Sequence, residues 1–319
     1  MKNYISTYFF QDLEDLGAEY GNIFSDFEQR NLIYWKTVFV FFSSSIIVNR
    51  TFNIHYIFFT NVDDFPYKRE LEALGVKIVS GLRLTNRNVS SWATVKFFFD
   101  VLNYITISDD FSDEDNFVLL DTDVICIGNS HSLFKKIGSL TKPLVYSIGV
   151  QKKKYIFHGV GIKELEKIYL DLLKEDINVS YLIGGEFFGI SKFVLKKYCH
   201  DFNALSSITR ISTEEQVLTL SHAAHGFSIT KFEICRIWTT LKKLTIPINW
   251  QDYTFLHLPS EKSTGLIQIF NFLYVNDLEN LDRNDIIAEI KFRLNLSNVF
   301  LLYYKLIARK ILGIIKIII

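Results

Sequence analysis

Residues 116–128, N-F-V-L-L-D-T-D-V-I-C-I-G, constrain this chain more than any other stretch. Four apolar residues, Phe117, Val118, Leu119 and Leu120, run without interruption into two aspartates separated by one threonine. A short continuous apolar run rich in strand formers predicts a central parallel strand covered on both faces. The strand ends in charge, so Asp121 and Asp123 are expected at the carboxyl edge of the sheet, where open α/β sheets bind their ligands. Both side chains are expected at the surface there, and removing either should cost the core little. Two such carboxylates suit a divalent cation, because Mg²⁺ and Mn²⁺ favour oxygen ligands and Mg²⁺ bridges one or two carboxylates to substrate phosphates. An Asp-x-Asp alone equally describes a solvated turn. The apolar lead-in and the later motifs favour the metal.

The chain before this strand alternates between strand and helix patterns. Residues 4–10 have strand composition, 31–52 are strongly apolar and read as a helix despite a strand-favouring V-F-V-F-F, and 53–60 read as a second strand. A turn at 61–66, a short helix at 67–74 and a strand at 76–79 complete β-α-β-α-β, which implies a parallel sheet with right-handed crossovers. Residues 92–105 are the next helix, and the acidic loop 109–115 before the central strand reads as solvated. Further on, 143–150 form a strand and 162–175 an amphipathic helix with Leu165, Ile168, Tyr169 and Leu172 on one face. The basic loop 151–154 between them reads as a solvated charge run. Residues 181–191, Y-L-I-G-G-E-F-F-G-I-S, read as a strand interrupted by paired glycines, which mark a bend or a close approach to the backbone. Ser212 and Glu215 match a capping box at the start of a helix.

Composition excludes several classes. With 319 residues, 49% hydrophobic and 22% charged, and Lys+Arg equal to Asp+Glu at 35 each, the chain is neither disordered nor built for a polyanion, and nucleic acid is not an expected partner. Cys126, Cys199 and Cys235 are too scattered for a disulfide framework or a CxxC metal site, which suits a reducing cytosol. The first twelve residues lack the length and cleavage site of a secretory signal and read as the first strand.

The order of these pieces, with the late segment F-L-H-L-P-S-E-K at residues 255–262, resembles the GT-A glycosyltransferases over residues 1–265. Among them it looks closest to the retaining glycogenin-like and lipooligosaccharide galactosyltransferase family. The resemblance implies an α/β, Rossmann-like fold with a mostly parallel central sheet flanked by helices. It divides the catalytic domain into a nucleotide-sugar half at about 1–128 and an acceptor half at about 129–265, followed by a helical region at 266–319. It implies Mn²⁺ or Mg²⁺ on Asp121, Asp123 and His257, with Lys262 on the diphosphate, although the His-to-Lys spacing is one residue shorter here and Pro259 replaces part of a glycine-containing turn. Tyr8 and Lys96 fall where related enzymes meet the donor, an ordinary solvated lysine being the alternative for Lys96. Gly184, Gly185 and Glu186 resemble a segment that lines the sugar site, and Glu215 and Gln216 resemble an acidic-Gln pair beside the reacting sugar. The implied activity is transfer of a sugar from a nucleotide-diphosphate donor to a glycan or glycolipid acceptor, in bacterial surface polysaccharide or lipooligosaccharide synthesis.

The chemistry fits the residue types. Charge develops on the leaving diphosphate, and a divalent ion with a lysine offsets it; a carboxylate or amide on the sugar's other side, from Glu186, Glu215 or Gln216, stabilises the transition state or acts as base. Two other readings stand beside this one. A phosphohydrolase of the haloacid dehalogenase type also ends a strand in Asp-x-Asp, though on its first strand, and a non-catalytic, membrane-attached nucleotide-sugar-binding protein would keep the same metal site. Finally, residues 296–319 read as an amphipathic helix: Lys305, Arg309 and Lys316 gather on one arc, opposite Phe300, Ile307, Ile311, Ile314 and Ile318. Charge at Arg309 and Lys310 disfavours a membrane span and favours the interface, so a peripheral position on the cytoplasmic face of the cell membrane is expected.

Overall fold

Residues 1–12, 27–86, 94–150, 156–240, 243–294 and 307 are described by the computed structural model. In chain order they form β1 (Asn3–Phe9), α1 (Phe27–Asn49), β2 (His55–Thr60), α2 (Lys68–Ala73), β3 (Val76–Val79), α3 (Phe97–Ile107), β4 (Asn116–Leu120) and β5 (Val124–Cys126). There follow α4 (His131–Ser139), β6 (Leu144–Val150), β7 (Ile156–Phe157), β8 (Val160–Gly161), α5 (Ile162–Leu173), β9 (Tyr181–Ser191), α6 (Lys192–Ser206), α7 (Glu214–His225) and β10 (Ser228–Thr230). The last are β11 (Ile234–Arg236), β12 (Trp238–Thr239), β13 (Leu244–Thr245), β14 (Phe255–His257), α8 (Gly265–Val275) and α9 (Arg283–Leu294). Two units share these elements, each gathered from separate stretches of chain. The first is Met1–Gly21, Thr51–Asp121 and Ser130–Lys231; the second is Asn22–Arg50, Thr122–Asn129 and Phe232–Ile319.

The first unit is organised by a seven-stranded sheet in the order β10-β6-β9-β4-β1-β2-β3. Every residue of β4 is buried, as its apolar run requires, and it pairs in parallel with β1. Two polar residues of β1 sit in this core at no loss, because Ser6 Oγ donates to Val118 O (3.0 Å) and Thr7 Oγ1 to Leu120 O (2.7 Å). β2 and β3 extend the parallel set. Aromatic side chains fill the layer beside it: Tyr4 stacks on Phe117 at 4.9 Å, and Phe98 meets Phe188 edge-on at 5.5 Å.

Three expectations need correction here. β9 is one continuous strand of 11 residues rather than a broken one, and it runs antiparallel to both β4 and β6. Its irregularity is carried by register shifts against β6, which absorb the misfit that the glycines suggested. The acidic loop is not simply solvated: Asp115 is buried and accepts from the backbone N–H groups of Lys2 (2.6 Å) and Ser112 (2.9 Å). The helix expected over 92–105 begins at Phe97, after a turn at 94–96, and residues 92 and 93 lie outside the described residues. So do the basic loop 151–154 and, apart from Ile307, which is helical and 49% exposed, the segment 296–319.

The second unit is built on α1. This is the one described helix long and apolar enough to cross a membrane, with mean hydropathy 1.4 over its most apolar 18 residues, but it is mostly buried against β5, α8 and α9. Some of its polar residues bond back to their own helix, as in Thr37 Oγ1 to Tyr34 O (2.8 Å) and Asn49 Nδ2 to Ser45 O (2.9 Å), whereas Asn31 Oδ1 and Ser43 Oγ are buried without a partner among the described residues. Packing against β5, α8 and α9 holds the strand-prone V-F-V-F-F in a helix. A second sheet, β11-β14-β5, completes the unit; β14 runs antiparallel to β5, with His257 opposite Val124.

Candidate functional site

In the second unit, the pairing of β5 with β14 assembles a buried charged group. Leu258 N donates to Asp123 O (3.0 Å), which extends the pairing one step past the end of β14 and sets the Asp123 side chain beside His257. His257 Nε2 lies 3.3 Å and Lys262 Nζ 3.4 Å from Asp123 Oδ2. Lys262 in turn donates to the Tyr34 hydroxyl (3.2 Å) and rests over that ring at 5.1 Å. Asp123 is not at the surface, as its place after a strand suggested, but only 1% exposed. Burial pushes its carboxyl up, and the Lys262 ammonium and the His257 imidazole outweigh that, holding it below the usual carboxylate range. Among the described residues no donor reaches Asp123 Oδ1, so a buried, ionised oxygen faces no hydrogen bond next to an imidazole nitrogen. That is the donor chemistry a divalent cation requires, and the residues present fit one.

In the first unit, the carboxyl end of β4 carries Asp121. Tyr8, at the end of β1, donates to Asp121 Oδ1 (3.4 Å), and Asp121 N donates to Glu186 O (3.4 Å), so the register of β1 and β9 brings Tyr8 and Glu186 to this point. Asp121 is half-buried. Glu186 is fully buried, and a Cβ on Gly184 would fall on its carboxylate. A Cβ on Gly185 would come within 2.8 Å of Glu214 Cγ. The paired glycines therefore mark the close approach of two glutamates to the β9 backbone, the second of which the sequence did not single out.

Glu214 opens α7. Its Oε2 is buried without a hydrogen-bond partner among the described residues. Burial, then the neighbouring carboxylates Glu215, Asp121 and Glu186, push its carboxyl well above the usual range, which favours the neutral form. Such a group can donate a hydrogen bond where an ionised neighbour cannot. Glu215 reaches Gly185 N through Oε1 (3.4 Å) and His158 Nε2 through Oε2 (2.5 Å).

The capping box is shifted by one residue from Ser212 and Glu215 to Thr213 and Gln216. Gln216 Oε1 accepts from Ser212 N (2.7 Å) and Thr213 N (3.2 Å), while its Nε2 donates to Phe157 O (2.8 Å). Its amide is thus committed to the protein backbone, and Glu215, released from capping, is left for other work. Replacing Gln216 by alanine is expected to lower stability by about 2 kcal/mol, the upper range for losing a cap. Chemical denaturation checks this, and an unchanged midpoint would show that the cap carries no weight. Lys96 is corrected in the same way: it is 2% exposed and spends its ammonium on Ser206 O (2.7 Å) and Ile208 O (3.0 Å), with burial lowering its pKa to about 8.

No protein-family model matches this sequence, and a search of curated proteins returns no significant match. Among solved structures, the fold is similar to that of the bifunctional glycosyltransferase WbbM, at 10% identity and a TM-score of 0.52, over 93% of this chain and 51% of that one. The chain therefore spans about half the length of WbbM. Mouse xyloside xylosyltransferase 1 also matches, at 9% identity and a TM-score of 0.42, over 81% of this chain and 97% of that one. With its mostly parallel central sheet flanked by helices, this chain has the mixed α/β fold of the GT-A glycosyltransferases.

Proposed function

We propose that this protein is a metal-dependent glycosyltransferase that moves a sugar from a nucleotide-diphosphate donor to a glycan or glycolipid acceptor. The observation that carries the reading is the buried Asp123 oxygen without a hydrogen-bond donor beside His257 and Lys262. Asp121 stands two residues earlier, which keeps its Cα within about 7 Å of that of Asp123 in any conformation. Asp121, Asp123 and His257 are of the type and number to hold a divalent ion. Carboxylates with one imidazole suit Mn²⁺ better than Mg²⁺, which prefers oxygen alone. When bound, the ion neutralises charge on a diphosphate leaving group.

The chain's own groups supply the rest. Lys262 adds a fixed positive charge, Tyr8 orients Asp121, Glu214 offers a proton to a sugar hydroxyl, and Glu215 places a carboxylate where positive charge develops on the sugar. A hexose donor, a retaining outcome and a bacterial surface glycan as acceptor follow from the sequence resemblance, and a peripheral place on the cytoplasmic face of the membrane from the amphipathic pattern of residues 296–319. The phosphohydrolase reading is disfavoured because the Asp-x-Asp follows β4 rather than the first strand. The test is incubation with a panel of nucleotide sugars and Mn²⁺, following release of the nucleoside diphosphate and, by NMR, the anomer formed. Turnover of at least one donor, abolished by chelator, is expected. Failure to bind any nucleoside diphosphate in Mn²⁺ would overturn the proposal.

A further inference from the structure

The hairpin β7–β8 cannot stand by itself. Its strands are two residues each, and isolated hairpins even of greater length are marginal in water. It is held by the burial of Phe157 and Val160 in the core of the first unit, by Gln216 Nε2 on Phe157 O (2.8 Å) and by His158 Nε2 on Glu215 Oε2 (2.5 Å). Both polar ties go to consecutive residues in the first turn of α7. Its two-residue turn is His158-Gly159, with φ of 48° and 83°, the pair of positive values that a type I′ turn demands. Asn or Gly satisfies that turn most easily, whereas a left-handed histidine costs on the order of 1 kcal/mol. Turn chemistry therefore does not account for His158; its side chain does. With Oε2 on His158 and Oε1 on Gly185 N, the Glu215 carboxylate is gripped at both oxygens and cannot swing away from the paired glycines.

We propose that His158 is a positioning residue for Glu215, and that the β7–β8 hairpin is a latch whose closure onto the start of α7 aims that carboxylate at the reacting sugar. The aim rests on the glycosyltransferase reading; the latch itself does not. Two measurements separate them. The first is hydrogen exchange of the substrate-free protein at Phe157–Val160. His158→Ala and Glu215→Ala are each expected to speed exchange there about two- to fivefold, and His158→Gln, whose amide can still donate to Oε2, to restore most of the protection. Unchanged exchange in His158→Ala would overturn the latch. The second is steady-state transfer with the identified donor. His158→Ala is expected to lower kcat at least tenfold while donor KM stays within about twofold, with His158→Gln recovering most of kcat. Wild-type kcat in His158→Ala, or an equal loss in the glutamine variant, would overturn the positioning role. Faster exchange in His158→Ala, with no turnover of any nucleotide sugar by the wild type, would count against the glycosyltransferase reading and leave the latch standing.

Discussion

Asp123→Ala is expected to abolish Mn²⁺-dependent binding of a nucleoside diphosphate and, separately, to destabilise the protein by about 3 kcal/mol, as removal of one partner from a buried ion pair does. The reason for the second effect is that Lys262, 14% exposed, and His257, 5% exposed, would lose the carboxylate that both face. Asp121→Ala should separate the two effects. Asp121 is half-buried at the carboxyl end of β4, where the Tyr8 hydroxyl donates to it at 3.4 Å, so its loss should remove metal-dependent binding at a smaller cost in stability, about 1 kcal/mol. Calorimetry with a nucleoside diphosphate and Mn²⁺, run beside chemical denaturation, reads both quantities. Affinity retained in both variants would remove the metal site, whereas equal stability of the two would show that the Asp123 pairing is not what holds this part of the second unit. Asp123→Asn helps in interpretation, since it keeps the shape and removes only the charge.

Glu215→Ala should lower kcat at least a hundredfold, about 2.7 kcal/mol of transition-state stabilisation, with donor affinity nearly unchanged. The expectation follows from the charge that develops on a sugar as its bond to diphosphate breaks, which a fixed carboxylate offsets more in the transition state than in the ground state. The stability cost should be small. Glu215 is 14% exposed and His158 28%, and a partly exposed pair contributes about 0.5–1 kcal/mol. Steady-state kinetics with calorimetric donor binding is the check. A rise in KM at constant kcat would mean that Glu215 only binds the donor, and full turnover would move the reacting sugar elsewhere.

What the sequence determined by itself lies where the information is local. The apolar run from Phe117 to Leu120 specifies a buried strand because no exposed element tolerates it, and the β1 to β3 alternation specifies parallel pairing because such strands need crossovers. The two aspartates after that strand and the glycine pair in β9 were legible for the same reason. Register and direction were not. Whether β9 runs parallel or antiparallel to β4 depends on a partner more than sixty residues away, and period-two patterning looks the same in either sense. Thr213 rather than Ser212 caps α7 because the Gln216 amide also has to reach Phe157, a contact no local pattern contains. The same holds for the site: Asp123 and His257 meet through the pairing of β5 with β14, the Glu214 carboxyl is pushed up by burial among other carboxylates, and His158 reaches Glu215 across a turn. Each of these depends on distance in space and on exclusion of water, and only the packed chain sets those.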